Sequence, residues 1–225
     1  MRNSEKRFHT MGKRTTGQLP APASWHWIGE RGLQVATGAA TLARYEHLLK
    51  KKLPDIEDII PTDNSILLIL RRAAPVSPRV SAALSEPLEK EMGGARGTLH
   101  DLVVDYGGRA GPDLPALAKR ARMSVAEYID CHSAAEYSVA FLGFQPGFPY
   151  LRGLPTALHT PRRASPRQRV ASGSVAIGEA YTGIYPDDGP GGWHIIGRTT
   201  AVLFDPLREA PALLMPGDRV RFVPA

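Results

Sequence analysis

The chain has 225 residues, 43% of them hydrophobic, with 22 Gly and 20 Pro, which is enough for one large or two small cored domains and too little Gly and Pro for low-complexity disorder. A single cysteine, Cys131, excludes an internal disulfide framework, and no apolar run approaches the ~20 residues of a membrane span. Of the formal +6 charge, +4 lies in the first 20 residues (Arg2, Lys6, Arg7, Lys13 and Arg14 against Glu5), so the rest carries +2 and lacks the footprint of a nucleic-acid binder. Residues 1–24 are therefore expected to be a basic extension. The lone cysteine and the lack of an apolar signal core make the cytoplasm the expected location.

From Trp25 to Val35 an apolar stretch broken by Gly29 and Gly32 reads as a bent strand or hairpin. Ala39 to Leu53 places Leu42, Tyr45, Leu49 and Leu53 on one helical face, with Leu48 beside them and Pro54 as the stop. Ile56–Ile60 and Ser65–Leu70 flank the turn-forming run Pro61–Asn64 and predict a hairpin. Ser77 and Pro78 predict an N-cap and first helical residue, with Val80, Ala83 and Leu84 buried. This order predicts a small α/β sandwich over 25–97, with a Gly-rich junction at Glu91–Gly97.

Leu99–Tyr106 reads as a strand and Asp113–Arg122 as a helix. Ser124 and Glu127 have the spacing of a capping box opening a second helix, with Val125, Tyr128, Ile129 and His132 inward. Glu136–Leu142 returns to strand-like alternation. Between Gly143 and Gly192, 16 of 50 residues are Gly or Pro, yet aromatic and apolar anchors recur, which fits short strands joined by shaped turns. Trp193–Ile196, Ala201–Phe204 and Arg219–Val223 read as closing strands, the last after a Pro216–Gly217–Asp218 turn. The expected architecture is α+β: the small N-terminal sandwich, then over 98–225 a β-barrel preceded by two helices.

Three segments carry residues suited to chemistry. Gly143–Leu151 (GFQPGFPYL) sets two Phe and a Tyr in a stiff loop, either as an apolar wall for a ligand or as a packed turn. Thr160–Val170 sets Arg162, Arg163, Arg167 and Arg169 among prolines. A planar guanidinium suits carboxylate or phosphate, and the alternative is a solvated loop. Gly173–Gly197 offers Ser174, Thr182, Tyr185 and the large face of Trp193, for which the core reading is favoured over the ligand one. His132 reads as a satisfied core histidine or as an acid/base group with Glu136 nearby. No nucleotide-binding loop, HExxH or paired cysteine is present, so no standard nucleotide or metal motif stands out, and no lysine follows Lys119, so Schiff-base and biotinyl chemistry in the C-terminal region have no residues to use.

In order, FLGFQPGFPYL, TPRRASPR, GSVAIG, TGIYP, PGGWHIIGRT and LFDP resemble the family of B-type subunits of 5-oxoprolinase. That family is also called allophanate hydrolase subunit 1, and it includes Kip-type histidine kinase inhibitors. The likeness runs from about Trp27 to Pro224 and takes in DYGGRAGPDL (Asp105–Leu114) and HSAAEY (His132–Tyr137). It implies a small N-terminal domain and a cyclophilin-like barrel that shares a cleft with a second, C-type subunit. With a third, A-type subunit the system would open 5-oxoproline to glutamate using ATP as co-substrate. The resemblance also leaves open a non-catalytic kinase inhibitor, or a role in a complex that works on another amide or lactam such as a urea derivative. Phe144, Pro146, Phe148, Arg162, Arg167, Thr182, Tyr185 and Trp193 are then the expected cleft or interface residues, and His132 with Glu136 the expected acid/base pair. The sequence departs from the family at Val170–Ser174 (VASGS for VPAGS) and at Tyr181, where relatives carry Gln. A phenol there would shift substrate choice if it faced the cleft. Asp187–Asp188 is a further departure.

Overall fold

The structure is a computed structural model that describes residues 24–73, 75–88 and 97–225. Residues 1–23 of the basic extension and all but the last residue of the expected Gly-rich junction lie outside the described residues.

The N-terminal sheet is antiparallel and four-stranded, in the order β1 (Trp25–Ile28), β2 (Gly32–Ala36), β4 (Ser65–Leu70), β3 (Ile56–Pro61). Alternation along β4 drives Ile66, Leu68 and Leu70 to one face, where Leu33 and Val35 of β2 meet them. Helices α1 (Thr41–Lys51) and α2 (Pro78–Ser85) cover that face with Tyr45, Leu48, Val80, Ala83 and Leu84. Helix α2 starts as expected: Pro78 is its first residue, and the Ser77 hydroxyl accepts from the Val80 N–H. The α1 face is rotated from the expected one, because Leu48 is buried while Leu49 is 46% exposed. Two adjacent leucines satisfy either stripe, and contact with the sheet selects Leu48.

The second body is a closed seven-stranded barrel in the order β10 (Tyr181–Ile184), β7 (Pro149–Arg152), β6 (Glu136–Leu142), β13 (Arg219–Pro224), β5 (Leu99–Tyr106), β12 (His194–Arg198), β9 (Ser174–Gly178). The pairing of β13 with β5 is parallel and the other barrel pairings are antiparallel. Closure leaves the barrel no free edge. A two-stranded ribbon, β8 (Arg167–Val170) with β11 (Gly189–Gly191), lies beside it. The fold class is thus α+β with a barrel, as expected, but two details differ. Helices α3 (Leu114–Ala121) and α4 (Val125–Ser133) follow the first barrel strand rather than precede the barrel. The Ala201–Phe204 segment is not a strand. Phe204 makes a single bridge, to Ala212, because β12 already has β5 and β9 on its two edges.

The Ser124–Glu127 capping box forms in both directions, at 3.1 and 2.7 Å, and a box of this kind stabilises a helix start by about 1 kcal/mol. Tyr128 and His132 point from α4 into the barrel core, whereas Val125 is exposed at the helix start.

Candidate functional site

One end of the barrel carries an aromatic cluster separate from the main core: Phe148, Tyr185 and Trp193 are buried, with Tyr150 packed against them. Phe148 is the hub. Its ring meets Tyr185, Trp193 and Tyr150 edge-on at centroid distances of 5.1, 5.4 and 5.2 Å, the arrangement aromatic quadrupoles favour. Two glycines make the cluster geometrically possible. A Cβ on Gly178 would lie 2.7 Å from the Trp193 indole, so the indole lies flat on bare backbone there. A Cβ on Gly191 would overlap the Tyr185 hydroxyl.

The loop before β7 supplies the rim. Gly143 donates to the Phe148 carbonyl, Phe148 donates to that of Gln145, and Gln145 donates back to Gly143. Within this tight loop Phe144 sits at φ +68°, unusual for a residue with a side chain, and is 60% exposed. Its ring stands edge-on to Phe148 and Tyr185. On the opposite side the Arg163 N–H donates to the Gly192 carbonyl at 2.8 Å, tying the proline-rich Arg loop to the start of β12.

Between these walls lies a pocket of about 180 Å³, lined by Phe144, Phe148, Arg162, Arg163, Tyr185 and Trp193 together with Tyr150, Pro166, Gly191 and Gly192. Five of the ten expected site residues meet here: Phe144, Phe148, Arg162, Tyr185 and Trp193. Burial raises the phenol pKa of Tyr150 and Tyr185, so both remain protonated donors. The lining holds no carboxylate, histidine or lysine. The Arg162 Nε is 3.2 Å from the Glu179 carboxylate at the rim, an exposed and exchangeable ion pair.

The other expected residues lie elsewhere. Pro146 is exposed at the loop tip and shapes the loop without lining the pocket. Thr182 points into the barrel, fully buried, donating to the Ala176 carbonyl at 3.0 Å. His132 is fully buried beside it, its Nε2 3.1 Å from the Thr182 hydroxyl and its Nδ1 2.8 Å from the Tyr106 hydroxyl. Its expected partner Glu136 is on the barrel exterior, 3.3 Å from Arg219. The acid/base pair read from the sequence is therefore not assembled. The expectation for Tyr181 is corrected too: its hydroxyl donates to Asp63, on the turn between β3 and β4, and the residue is absent from the pocket lining.

Arg167 turns to a second concavity, of about 750 Å³, on the far side of Asp113. Asp113 was not singled out from the sequence. It is buried at the start of α3, where Oδ1 accepts from Arg167 at 2.7 Å and Arg163 at 3.3 Å, and Oδ2 accepts from the Ile195 N–H at 2.7 Å. Burial alone would raise its pKa, but the hydrogen bonds from Arg167 and Ile195 outweigh that and hold it below the usual carboxylate range. One carboxylate thus positions an arginine for each concavity. Arg163 and Tyr150 lay within quoted motifs, whereas the partners of Asp113 are 50 or more residues away.

A family model described as carboxyltransferase domain, subdomain C and D, matches residues 22–214. A relative from Escherichia coli O157:H7, named as the B-type subunit of 5-oxoprolinase, is 47% identical over 178 residues, covering 76% of this chain and 79% of the relative. The crystal structure of TTHA0988 superposes with a TM-score of 0.73 at 35% identity over 87% of this chain, which spans 40% of that longer one. The Kluyveromyces lactis urea carboxylase structure covers 90% of this chain and 22% of its own at a TM-score of 0.67 and 17% identity, a likeness of fold.

Proposed function

This chain belongs to the family of 5-oxoprolinase B-type subunits, and from that premise we propose that its aromatic pocket is one wall of a substrate site for 5-oxoproline, completed by a C-type homologue and served by an A-type one, in an ATP-dependent ring opening to glutamate. The observation that carries this reading is the pairing of an aromatic box with two arginines in a space of about 180 Å³. That volume lies below the ~300–1,000 Å³ of sites for drug-sized ligands and suits a small ring. The flat lactam would lie against Phe148, Tyr185 and Trp193. Its carboxylate would take Arg162, displacing the exposed Glu179 contact, or Arg163, which Asp113 already orients.

The pocket has the chemistry of binding rather than of proton transfer. Its protonated tyrosines can donate to a carbonyl, but no lining group is poised as a general base. On this reading the base and the residues that handle ATP must include groups outside the pocket, which explains why the chain would need its partners. The test is reconstitution with the A-type and C-type partners, measuring 5-oxoproline-dependent ATP hydrolysis. Arg162→Ala or Arg163→Ala, whichever removes the partner of the carboxylate, should raise the KM for 5-oxoproline about 10- to 100-fold, the range for hydrogen bonds to a charged group. A reconstituted system without activity, or two variants with unaltered KM, would refute the assignment.

A further inference from the structure

The larger concavity beyond Asp113 lies outside the aromatic pocket. We infer that it binds the polyphosphate of a magnesium–nucleoside triphosphate, an assignment that rests on the ATP-dependent reading above. Its walls carry Arg109, Arg167, Arg169 and Arg198, with Asp105 as the single acidic residue of the lining. Two of these arginines already have carboxylates: Arg167 has Asp113, and Arg169 has Asp188 at 2.6 Å. Of the described residues no carboxylate lies within ion-pair distance of the other two, although Arg198 stands directly across the β5–β12 pair from Asp105 and feels the charge of Asp188. Among the described residues Arg109 makes no ion pair and no side-chain hydrogen bond, and Arg198 spends only its Nε, on the Ser172 carbonyl at 2.9 Å. The groove therefore presents unspent guanidinium donors from two elements, the turn after β5 and the end of β12.

The spread of charge favours an extended anion over a single carboxylate. The arginines come from the β5 turn, β8 and β12 and line a concavity of about 750 Å³, within the ~300–1,000 Å³ of small-molecule sites. Asp105 gives the assignment its metal component. A lone carboxylate in an arginine-rich groove would repel a bare anion, yet Mg²⁺ typically takes one or two protein carboxylates and completes its shell with phosphate oxygens and water. Asp105 has no side-chain hydrogen bond or ion pair among the described residues and lies on β5 just before the turn bearing Arg109. Arginine forks around the phosphates with one carboxylate on the metal are a complementary set for such a ligand.

The experiment measures calorimetric binding of inorganic tripolyphosphate, orthophosphate and MgATP to the purified chain, and the KM for ATP in the reconstituted complex. Tripolyphosphate and MgATP should bind the wild-type chain. Arg109→Ala and Arg198→Ala should each weaken both at least tenfold, with Arg162→Ala as the unaffected control. Asp105→Asn should abolish any gain in tripolyphosphate affinity on adding Mg²⁺. In the complex the two arginine variants should raise the KM for ATP and leave that for 5-oxoproline unchanged. Equal affinity for orthophosphate and tripolyphosphate, or unaltered ATP parameters in both arginine variants, would overturn the inference. Groove-dependent MgATP binding without 5-oxoproline turnover would uphold the groove and sink the 5-oxoproline reading; turnover with an unaltered KM for ATP would do the reverse.

Discussion

His132 illustrates how hydrogen-bond inventory decides between a core histidine and a catalytic one. The Thr182 hydroxyl has one proton, and the Ala176 carbonyl can only accept, so that proton goes to Ala176 and Thr182 accepts from His132 Nε2–H. Nδ1 then accepts from the Tyr106 phenol, and the ring, stacked on Phe222 at 4.8 Å, is neutral and fully satisfied. Burial pushes its pKa down to about 3. An unfolded histidine takes up its proton near pH 6.5, whereas this one does not until about pH 3. The stabilisation is therefore complete above pH 6.5 and lost as pH falls through that window, by about 1.4 kcal/mol per unit. Urea midpoints at pH 7 and pH 5 should show wild-type stability falling by about 2 kcal/mol from this group, and His132→Leu should remove that part of the slope while keeping turnover in the folded complex. An identical pH dependence in both proteins, or a folded variant without turnover, would return His132 to the list of candidate acids and bases.

At the scale of elements, the readable features were those whose partners are close in sequence. The Ser77 cap and the Ser124–Glu127 box span three residues, so residue type and spacing were enough to specify them. The hairpin around Pro61–Asn64 is equally local. The aromatic pocket was half legible, because Phe144, Phe148, Tyr185 and Trp193 stand in stiff motifs whose composition already excludes a flexible linker. What stayed hidden depends on distant partners. Tyr181 read as a possible substrate contact because Asp63 is 118 residues away. Asp63 also accepts from Arg152 on β7 at 2.7 Å through its side chain and its carbonyl, so the β3–β4 turn clasps two neighbouring barrel strands. Burial alone would raise the Asp63 pKa, yet the Tyr181 and Arg152 hydrogen bonds prevail and lower it. All three side chains retain solvent contact, so the clasp should stabilise only modestly, by about 1 kcal/mol. In a double-mutant cycle, Asp63→Ala and Tyr181→Phe should each cost about that much, with the pair costing little more than Asp63→Ala alone. Strict additivity in thermal or urea unfolding would show that the phenol and the carboxylate do not couple.

For the molecule as a whole, the unresolved balance is between what the fold stabilises for itself and what it keeps for another surface. No helix among the described residues is long and apolar enough to cross a membrane. Phe144 is 60% exposed and held at φ +68°, a conformation that costs a side-chain-bearing residue about 1 kcal/mol or more. Stability alone gives Phe no clear advantage over Gly there. The surrounding loop hydrogen bonds keep the backbone in this state, and the ring meets only the edges of Phe148 and Tyr185 at the pocket mouth. If the other wall of the site belongs to the C-type partner, Phe144 is the aromatic anchor of the contact. Phe144→Gly then separates the two roles. Relief of backbone strain offsets the lost ring contacts, so stability of the isolated chain should stay within about 1 kcal/mol of wild type. Loss of a central aromatic anchor should weaken association with the C-type partner by about 2 kcal/mol, roughly 30-fold in Kd, and lower turnover in proportion when that partner is limiting. A residue that merely buttresses the loop would give the opposite pattern, with lowered stability and unchanged affinity, and that result would remove Phe144 from the interface.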